Sequence, residues 1–232
     1  LFFKEKKQIA QNTFEFTFTK KEPIPYISGQ YMQWSLPHHK EDVRGTKRYF
    51  TIASSPYDED IKLGVKILDN GSTFKKELAD LQKGDTLLVN SVRGDFVLPT
   101  DTTKAVVCVA GGIGITPFIS MLRTLLHTKE KRNLSLFYFV NQREDIAYKD
   151  VLQEVKDTLG ITTVVSLSKE TVEGYESGML TKEMLGVHIK SITDTYFYIS
   201  GPPMMVSAYK DLLISLGVKR AYIVTDFFPG LE

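Results

Sequence analysis

Apolar and polar residues alternate over short stretches of the first hundred residues, as in Phe-Glu-Phe-Thr-Phe at residues 14–18. Alternation with a period of two is typical of a β-strand with one buried face. It predicts strands at residues 14–18, 31–35, 48–53 and 61–67. A helix is predicted over residues 72–81, because Ser72 and Thr73 precede apolar residues at helical spacing. Short strands separated by Gly and Pro indicate an antiparallel β-barrel.

Beyond Pro99, buried apolar runs alternate with stretches of helical periodicity. Strands are predicted at residues 105–110, 134–140, 162–167, 196–199 and 221–224, and helices at residues 117–127, 148–159 and 204–216. This alternation predicts a doubly wound parallel sheet. We therefore predict an α+β chain of two domains: an antiparallel β-barrel domain at residues 1–100 and an α/β domain with a doubly wound sheet at residues 101–232.

The 232 residues carry 29 Lys and Arg against 28 Asp and Glu, a formal net charge of +1. No nucleic-acid partner is expected, because this balance creates no long-range attraction for polyanions. A transmembrane helix is not expected either, since no apolar run approaches the roughly 20 residues that one needs. The chain starts at Leu1 in strand-like residues rather than in a signal peptide, which suggests an excerpt of a longer protein.

The single cysteine, Cys108, excludes an internal disulfide and a thiolate-bound metal or iron–sulfur cluster within the chain. It favours a reducing, cytoplasmic setting, including that of a soluble part of a membrane-associated protein. The apolar run around Cys108 predicts that its thiol is buried and inert. No metal is predicted, because the histidines lack metal-binding spacing.

Two glycine-containing turns follow predicted strands. Residues 111–117 (Gly-Gly-Ile-Gly-Ile-Thr-Pro) join a strand to a helix, an arrangement in which backbone N–H groups and the helix dipole bind a dinucleotide pyrophosphate. A helix start without a ligand is the alternative. Residues 198–204 (Tyr-Ile-Ser-Gly-Pro-Pro-Met) repeat this design, and the strands that end at Ala110 and Ser200 are candidates to flank one crevice. A simple Gly-Pro turn is the alternative there.

Residues 48–56 (Arg-Tyr-Phe-Thr-Ile-Ala-Ser-Ser-Pro) place a cation, an aromatic ring and a hydroxyl along one strand. Arg48 and Phe50 share one face and Thr51 lies on the other, so the first two can bind a diphosphate and stack on a planar cofactor. An ordinary barrel strand explains the same residues. Likewise, Ser72 and Thr73 offer an anion-binding helix start or merely an N-cap.

In this order, the four motifs resemble the ferredoxin-NADP reductase superfamily, which has R-x-Y-[ST], G-x-x-[ST], G-G-x-G-[IV]-[TA]-P and C-G-P-P-x-M. The resemblance covers essentially the whole chain and implies an enzyme that transfers hydride from NAD(P)H to FAD and passes electrons to a protein or cofactor acceptor. The alternative is an electron-relay or regulatory subunit of the same fold. The iron–sulfur version of such a subunit needs a cysteine cluster, which is absent here.

The resemblance also implies roles for individual residues. Arg48 binds the flavin diphosphate, Phe50 packs on the isoalloxazine, and Thr51 hydrogen-bonds near flavin N5. The further flavin residues are Tyr49, Val65, Lys66, Ser72 and Thr73. The nucleotide residues are Gly111, Gly112, Gly114, Thr116, Ser200, Gly201 and Pro202, with Ser168 and Lys169 near a 2′-phosphate, which slightly favours NADPH. Phe228 covers the flavin, and the candidate catalytic residues are Thr51, Ser200 and Asp226.

Two residues depart from the family pattern: Phe50 replaces a tyrosine and Ser200 replaces a cysteine. We expect flavin binding to survive without the tyrosine hydroxyl, and no thiol to act at Ser200. Residues 29–38 and 225–230 resemble bacterial reductase modules joined to a membrane-embedded electron carrier. The electron acceptor itself, however, is not readable from the sequence.

Overall fold

The computed structural model describes residues 1–38 and 42–227. By its internal contacts the chain divides into two compact units. The first holds Leu1–Leu98 and Thr116–His127, and the second holds Pro99–Ile115 and the described residues from Thr128 onward. Each unit has a hydrophobic core of its own.

The first unit combines antiparallel strands with two helices. Its strands are β1 (Phe2–Ala10), β2 (Thr13–Thr19), β3 (Tyr31–Ser35), β4 (Lys47–Thr51), β5 (Asp60–Lys66) and β6 (Leu88–Arg93). Its helices are α1 (Thr73–Asp80) and α2 (Thr116–Thr128), of which the last residue falls in the second unit.

The strands of the first unit form two antiparallel sheets, ordered β1-β2-β5 and β4-β3-β6. Hydrogen bonds join the sheets at both edges. Phe3 N–H of β1 donates to Asp85 O, just before β6, at 2.7 Å, and Ala53 N–H, just after β4, donates to Lys62 O of β5 at 2.8 Å. The ring of strands therefore closes, which confirms the predicted antiparallel barrel. The largest residues that fill it, all fully buried, include Phe16, Phe18 and Trp34.

Helix α2 belongs to the first unit through polar contacts near the end of β4. Ser120 Oγ donates to Ser54 O at 2.6 Å, and Arg123 Nη1 donates to Ala53 O at 2.9 Å. The same guanidinium lies 2.8 Å from Glu15 Oε2 in β2. The boundary predicted near residue 100 assigns this helix to the second domain, and that boundary stays a prediction.

The second unit contains a parallel sheet with helices and short 3-10 helices between its strands. The strands are β7 (Ala105–Gly111), β8 (Leu134–Val140), β9 (Thr162–Leu167), β10 (Glu176–Ser177), β11 (Thr195–Gly201) and β12 (Ile223–Phe227). The helices are α3 (Lys149–Leu159), α4 (Lys182–His188) and α5 (Pro203–Ser215). The 3-10 helices are Gly112–Ile115, Arg143–Asp145 and Arg220–Tyr222.

The strand order β10-β9-β8-β7-β11-β12 confirms the predicted doubly wound sheet. Every neighbouring pair in this order is parallel. From β7 the chain proceeds through β8 to β9 on one side, and later returns to β11 on the other side of β7. The order thus reverses between β7 and β11, which is where open α/β sheets bind ligands at the carboxyl ends of their strands.

Several elements differ from the sequence predictions, among them strands β1 and β10, which were not predicted. The last strand starts at Ile223 rather than at residue 221, because parallel pairing begins where Ile223 lies opposite Phe197, and residues 220–222 form a 3-10 helix. Helix α4 was not predicted; it has only 7 residues and buries only Met184 and Leu185. Strand β6 was not predicted either, since most of its side chains are exposed and Leu88 interrupts the alternation.

Candidate functional site

Arg48 in β4 is held by the backbone that precedes it. Its Nη1 donates to the carbonyl oxygens of Arg44 at 2.8 Å and Gly45 at 2.9 Å, and its guanidinium lies 5.3 Å from the ring centroid of Phe74. Its Nη2 is buried, makes no hydrogen bond among the described residues and lies 3.5 Å from Asp42 Oδ1. A buried cationic donor that lacks a hydrogen bond is costly, so this atom fits an anion such as a diphosphate.

The aromatic residues of β4 lie on opposite faces. Phe50 is half-buried, and its ring centroid is 5.8 Å from that of Phe74 in α1. Tyr49 is 48% exposed on the other face, where it packs on Tyr31 and accepts a hydrogen bond from Gln33 Nε2 at 2.8 Å. The structure therefore brings Arg48 and Phe50 together beside α1 and separates Tyr49 from them.

Thr51 ends β4 with a buried hydroxyl. The residue is 3% exposed, and its Oγ1 has no hydrogen-bond partner in the described part of the chain. An unpartnered buried hydroxyl costs about 1–3 kcal/mol, so the site fits a group that supplies the missing partner. A flavin ring is such a group, because its edge carries hydrogen-bonding nitrogen and oxygen atoms.

Strand β5 offers its backbone at the predicted flavin residues. Val65 is 2% exposed with its side chain in the barrel core, and Lys66 is half-buried at the strand end. They pair with Phe14 and Thr13 of β2. The side chain of Val65 is thus committed to packing, which leaves its backbone as the part able to border a cofactor.

Helix α1 begins with two hydroxyl residues that already have partners. Ser72 is the N-cap and accepts a hydrogen bond from Lys75 N–H at 3.4 Å, as the alternative interpretation of this motif expects. Thr73 Oγ1 accepts from Asp42 N–H at 3.1 Å and lies 3.0 Å from His38 Nε2. Thr73 N–H donates to Asp42 Oδ2 at 3.1 Å.

Sequence reasoning missed part of this group of charges. We call Arg44, Arg48, Thr73 and Lys75 the cationic cradle. Burial, and then the charges of Arg44 and Arg48, lower the pKa of Lys75, so three cations lie near the start of α1. The position of Lys75 in the first turn of the helix, close to Ser72, could have indicated part of this cluster of cations. No local sequence pattern indicates that Arg44 approaches it.

In the second unit, predicted residues meet along the carboxyl edge of the sheet. Ala110 of β7, Ser200 of β11 and Asp226 of β12 lie opposite one another on neighbouring strands. Ser200 is fully buried, and its Oγ has no hydrogen-bond partner among the described residues. The edge therefore presents a buried hydroxyl at the point where the strand order reverses.

The glycine turn after β7 depends on the absence of side chains. A Cβ on Gly114 would lie 2.6 Å from Ser200 O and 2.7 Å from Gly201 Cα, and a Cβ on Gly111 would lie 3.0 Å from Pro202 Cδ. Gly112 has φ +53°, a conformation that favours glycine, and a Cβ there would meet nothing within 4 Å. The turn is thus packed on one side and open on the other.

The two helix starts near this edge suit an anion. Thr116 is the first residue of α2 and is 5% exposed, directly after the glycine turn. Pro203 is the first residue of α5, with Pro202 as its N-cap, so no N–H is lost at that position. Gly201 is buried, and a Cβ on it would lie 3.1 Å from Gly111 Cα.

The loop after β9 is tied to the loop after β8. Ser168 Oγ donates to Asn141 Oδ1 at 3.0 Å, and Lys169 N–H donates to Asn141 O at 2.9 Å. Glu170 accepts a hydrogen bond from Arg143 N–H and lies 3.8 Å from Arg143 Nε. Ser168 and Lys169 are exposed and therefore accessible to a ligand. The predicted Phe228 lies outside the described residues.

Other side chains offer no reactive thiol and no metal site among the described residues. Cys108 is 2% exposed, and burial raises the pKa of its thiol well above its usual range, so it is buried and inert as predicted. In the described part of the chain, no group of three or more His, Cys, Asp or Glu side chains is placed to hold a metal ion. Nor does any described helix combine the length and the apolar character that crossing a bilayer requires.

Comparisons with known proteins agree with this geometry. The family model of the oxidoreductase FAD-binding domain matches residues 1–98, and that of the oxidoreductase NAD-binding domain matches residues 108–211. Flavohemoprotein A of Dictyostelium discoideum is 28% identical over 240 residues, which is 97% of this chain and 59% of that protein. NADH-cytochrome b5 reductase 1 of Lodderomyces elongisporus is 28% identical over 228 residues, 93% of this chain and 74% of that protein.

A solved structure has the same fold. The ferredoxin NADP+ reductase from Neisseria gonorrhoeae, with bound FAD and NADP, aligns with a TM-score of 0.81 at 21% identity over 97% of this chain and 96% of that one. The two matched domains mark the chain as an oxidoreductase module with an FAD-binding domain followed by an NAD-binding domain. The two matched domains and the shared fold support a module of the ferredoxin-NADP reductase superfamily, as the resemblance implies, and they confirm the fold class and both cofactors. It spans little more than half the length of several curated relatives.

Proposed function

We propose that this chain takes a hydride from NAD(P)H onto FAD and delivers the electrons singly to a protein or cofactor acceptor. Bound FAD supplies both the hydride acceptor and the one-electron donor. We assign FAD to residues 1–100 and the nicotinamide nucleotide to residues 101–232. The observation that carries this proposal is a set of buried polar atoms without a hydrogen-bond partner among the described residues: Arg48 Nη2, Thr51 Oγ1 and Ser200 Oγ.

On the flavin side, three residues of β4 contact different parts of FAD. Arg48 neutralises the diphosphate, since its Nη1 is fixed by backbone carbonyls and its Nη2, which makes no hydrogen bond among the described residues, can donate to an anion. Phe50 offers a half-buried ring for stacking, and Thr51 donates or accepts a hydrogen bond at the reacting edge of the ring. Val65, Lys66, Ser72 and Thr73 complete the binding residues.

On the nucleotide side, backbone groups bind and a hydroxyl orients. The turn at Gly111, Gly112 and Gly114, followed by Thr116, provides N–H groups for the pyrophosphate. Ser200, with Gly201 and Pro202 after it, positions the nicotinamide, and the carboxylate of Asp226 lies on the neighbouring strand. Ser168 and Lys169 contact the adenosine ribose or its 2′-phosphate.

The electron acceptor is proposed from the names of the relatives. Flavohemoprotein A and NADH-cytochrome b5 reductase 1 are both named for haem proteins, which supports a haem-containing or other one-electron redox partner. A membrane-embedded carrier joined to this module, as residues 29–38 and 225–230 suggest, remains within this proposal. The cytoplasmic setting inferred from the single cysteine also stays a prediction.

The test is reconstitution followed by anaerobic reduction. The purified chain is loaded with FAD, freed of excess flavin, and titrated without oxygen with NADH and NADPH in separate experiments. We expect a yellow protein whose visible flavin band disappears with at least one nucleotide. A protein that binds FAD but is not bleached by either nucleotide is a relay or regulatory subunit instead, and failure to bind FAD overturns the proposal.

A further inference from the structure

The carboxylate of Asp42 lies on donors that the flavin diphosphate needs. Thr73 N–H, at the start of α1, donates to Asp42 Oδ2 at 3.1 Å, and Arg48 Nη2 lies 3.5 Å from Asp42 Oδ1. Thr73 and Arg48 are the residues to which the family resemblance assigns the flavin phosphates. An anion from the chain itself therefore occupies part of the cationic cradle.

Arg44 fixes this carboxylate in place. Its backbone N–H donates to Asp42 Oδ1 at 2.9 Å, and its Nη2 donates to Oδ2 at 2.9 Å. These hydrogen bonds from Arg44, together with the one from Thr73, lower the pKa of Asp42 well below its usual range. Asp42 is therefore ionised wherever the protein is folded near neutral pH, and it acts in the cradle as a permanent negative charge.

Asp42 and a phosphate cannot use the same donors at once. An N–H group has one hydrogen, so Thr73 N–H donates well to one acceptor at a time, and two anions on one guanidinium repel each other. The cradle nevertheless has an excess of positive charge among the described residues, since Arg44, Arg48 and Lys75 face the one carboxylate of Asp42 there. A diphosphate is thus attracted to the cradle but must displace the carboxylate from part of it.

We propose that Asp42 is a resident anion that keeps the cationic cradle assembled without flavin and leaves Thr73 N–H when a diphosphate binds. This inference rests on the proposed function, because the same residues are assigned there to FAD. Asp42 thereby lowers the flavin affinity in two ways. It reduces the repulsion among the cations in the flavin-free protein, and it competes with the cofactor for their hydrogen-bond donors.

The test compares Asp42→Asn with a matched control, Asp85→Asn. Asp85 likewise accepts a backbone N–H in a turn, from Gln82 at 2.7 Å. The flavin-free proteins are titrated by calorimetry with FAD and, separately, with inorganic pyrophosphate, which probes the cradle without the ring. We expect Asp42→Asn to bind both ligands about five- to tenfold more tightly, as for the loss of one competing, partly exposed ion pair, and Asp85→Asn to match the wild type.

The outcomes separate this inference from the proposed function. Equal or weaker binding of pyrophosphate and FAD by Asp42→Asn overturns the inference while leaving the reductase intact. Tighter pyrophosphate binding without FAD binding by any variant upholds the resident anion and overturns the proposed function. Circular dichroism checks the fold, and Asp42→Ser, which also removes the charge, replaces Asp42→Asn if that variant does not fold, with the same expected direction.

Discussion

The candidate flavin site of the first unit consists mainly of side chains, whereas the candidate nucleotide site of the second unit consists mainly of backbone and of glycines that leave no room for a side chain. Arg48 and Thr51 each contribute a buried atom that lacks a hydrogen-bond partner among the described residues. Gly111 and Gly114 contribute the absence of a Cβ. Substitutions should therefore weaken the first site by removing atoms and the second site by adding them.

The largest effect is expected from Gly114→Ala. The new Cβ would lie 2.6 Å from Ser200 O and 2.8 Å from Gly201 N, which are backbone atoms that cannot rotate away. The turn must therefore shift by about 1 Å to relieve these contacts. A misplacement of about 1 Å lowers the rate of flavin reduction by NAD(P)H about a hundredfold, while FAD binding persists. Anaerobic stopped-flow absorbance measures the rate.

The control for this glycine is Gly186→Ala in α4 of the same unit. A Cβ there meets nothing within 4 Å, so the variant should reduce flavin normally and gain up to about 1 kcal/mol in the free energy of unfolding. Equal rates for Gly114→Ala and the wild type would show that the turn does not need its glycine.

The next effect is expected from Arg48→Ala. Loss of a charge-assisted hydrogen bond costs about 1.5–3 kcal/mol, which weakens FAD binding about ten- to a hundredfold. Arg48→Lys should recover part of the affinity, because it keeps the charge without the planar fork. Fluorescence titration with FAD measures both, and Lys47→Ala, an exposed cation on the other face of β4, should bind FAD normally.

A smaller effect is expected from Thr51→Val, which should raise stability but lower the rate of flavin reduction. Removing an unpartnered buried hydroxyl should raise the stability of the flavin-free protein by about 1 kcal/mol, yet slow flavin reduction about tenfold because a hydrogen bond at the ring is lost. Thermal or urea unfolding and stopped-flow absorbance measure the two quantities.

Thr13→Val is the matched control, since Thr13 is also a buried strand threonine of the first unit. Its hydroxyl donates to Gln11 O at 3.0 Å, so this variant should lose about 1 kcal/mol of stability and keep its reduction rate. If Thr51→Val behaves like Thr13→Val in both measurements, the Thr51 hydroxyl has a structural role only.

The smallest effect is expected from Lys169→Ala, which removes a side-chain charge proposed to bind the nucleotide in the second unit. An exposed cation contributes up to about 1 kcal/mol to an ion pair, so KM for NADPH should rise about three- to fivefold while KM for NADH is unchanged. Steady-state assays with both nucleotides test this, with Lys190→Ala, before the amino end of β11, as control. A parallel change for both nucleotides contradicts a role at the 2′-phosphate.

Periodicity and short motifs predicted the local parts of this molecule. Patterns within a few residues predict the strand that carries Arg48 and Thr51 and the turn at Gly114. The order of strands and helices along the chain predicts the doubly wound sheet. What escaped prediction depends on contacts between distant residues. Asp42 meets Thr73 across 31 positions, and Ser120 of α2 meets Ser54 across 66. No local pattern encodes such pairs, because packing decides them.

The most direct test of the central claim is a single-turnover experiment without oxygen. FAD-loaded wild type, Thr51→Val and Gly114→Ala are each mixed with one equivalent of the better nucleotide, and the visible flavin band is followed in time. The assignment of these residues to the flavin and nucleotide sites predicts complete bleaching for the wild type, slower bleaching of equal amplitude for Thr51→Val, and the slowest bleaching for Gly114→Ala with FAD still bound. An unbleached wild type, or three identical rates, would contradict it.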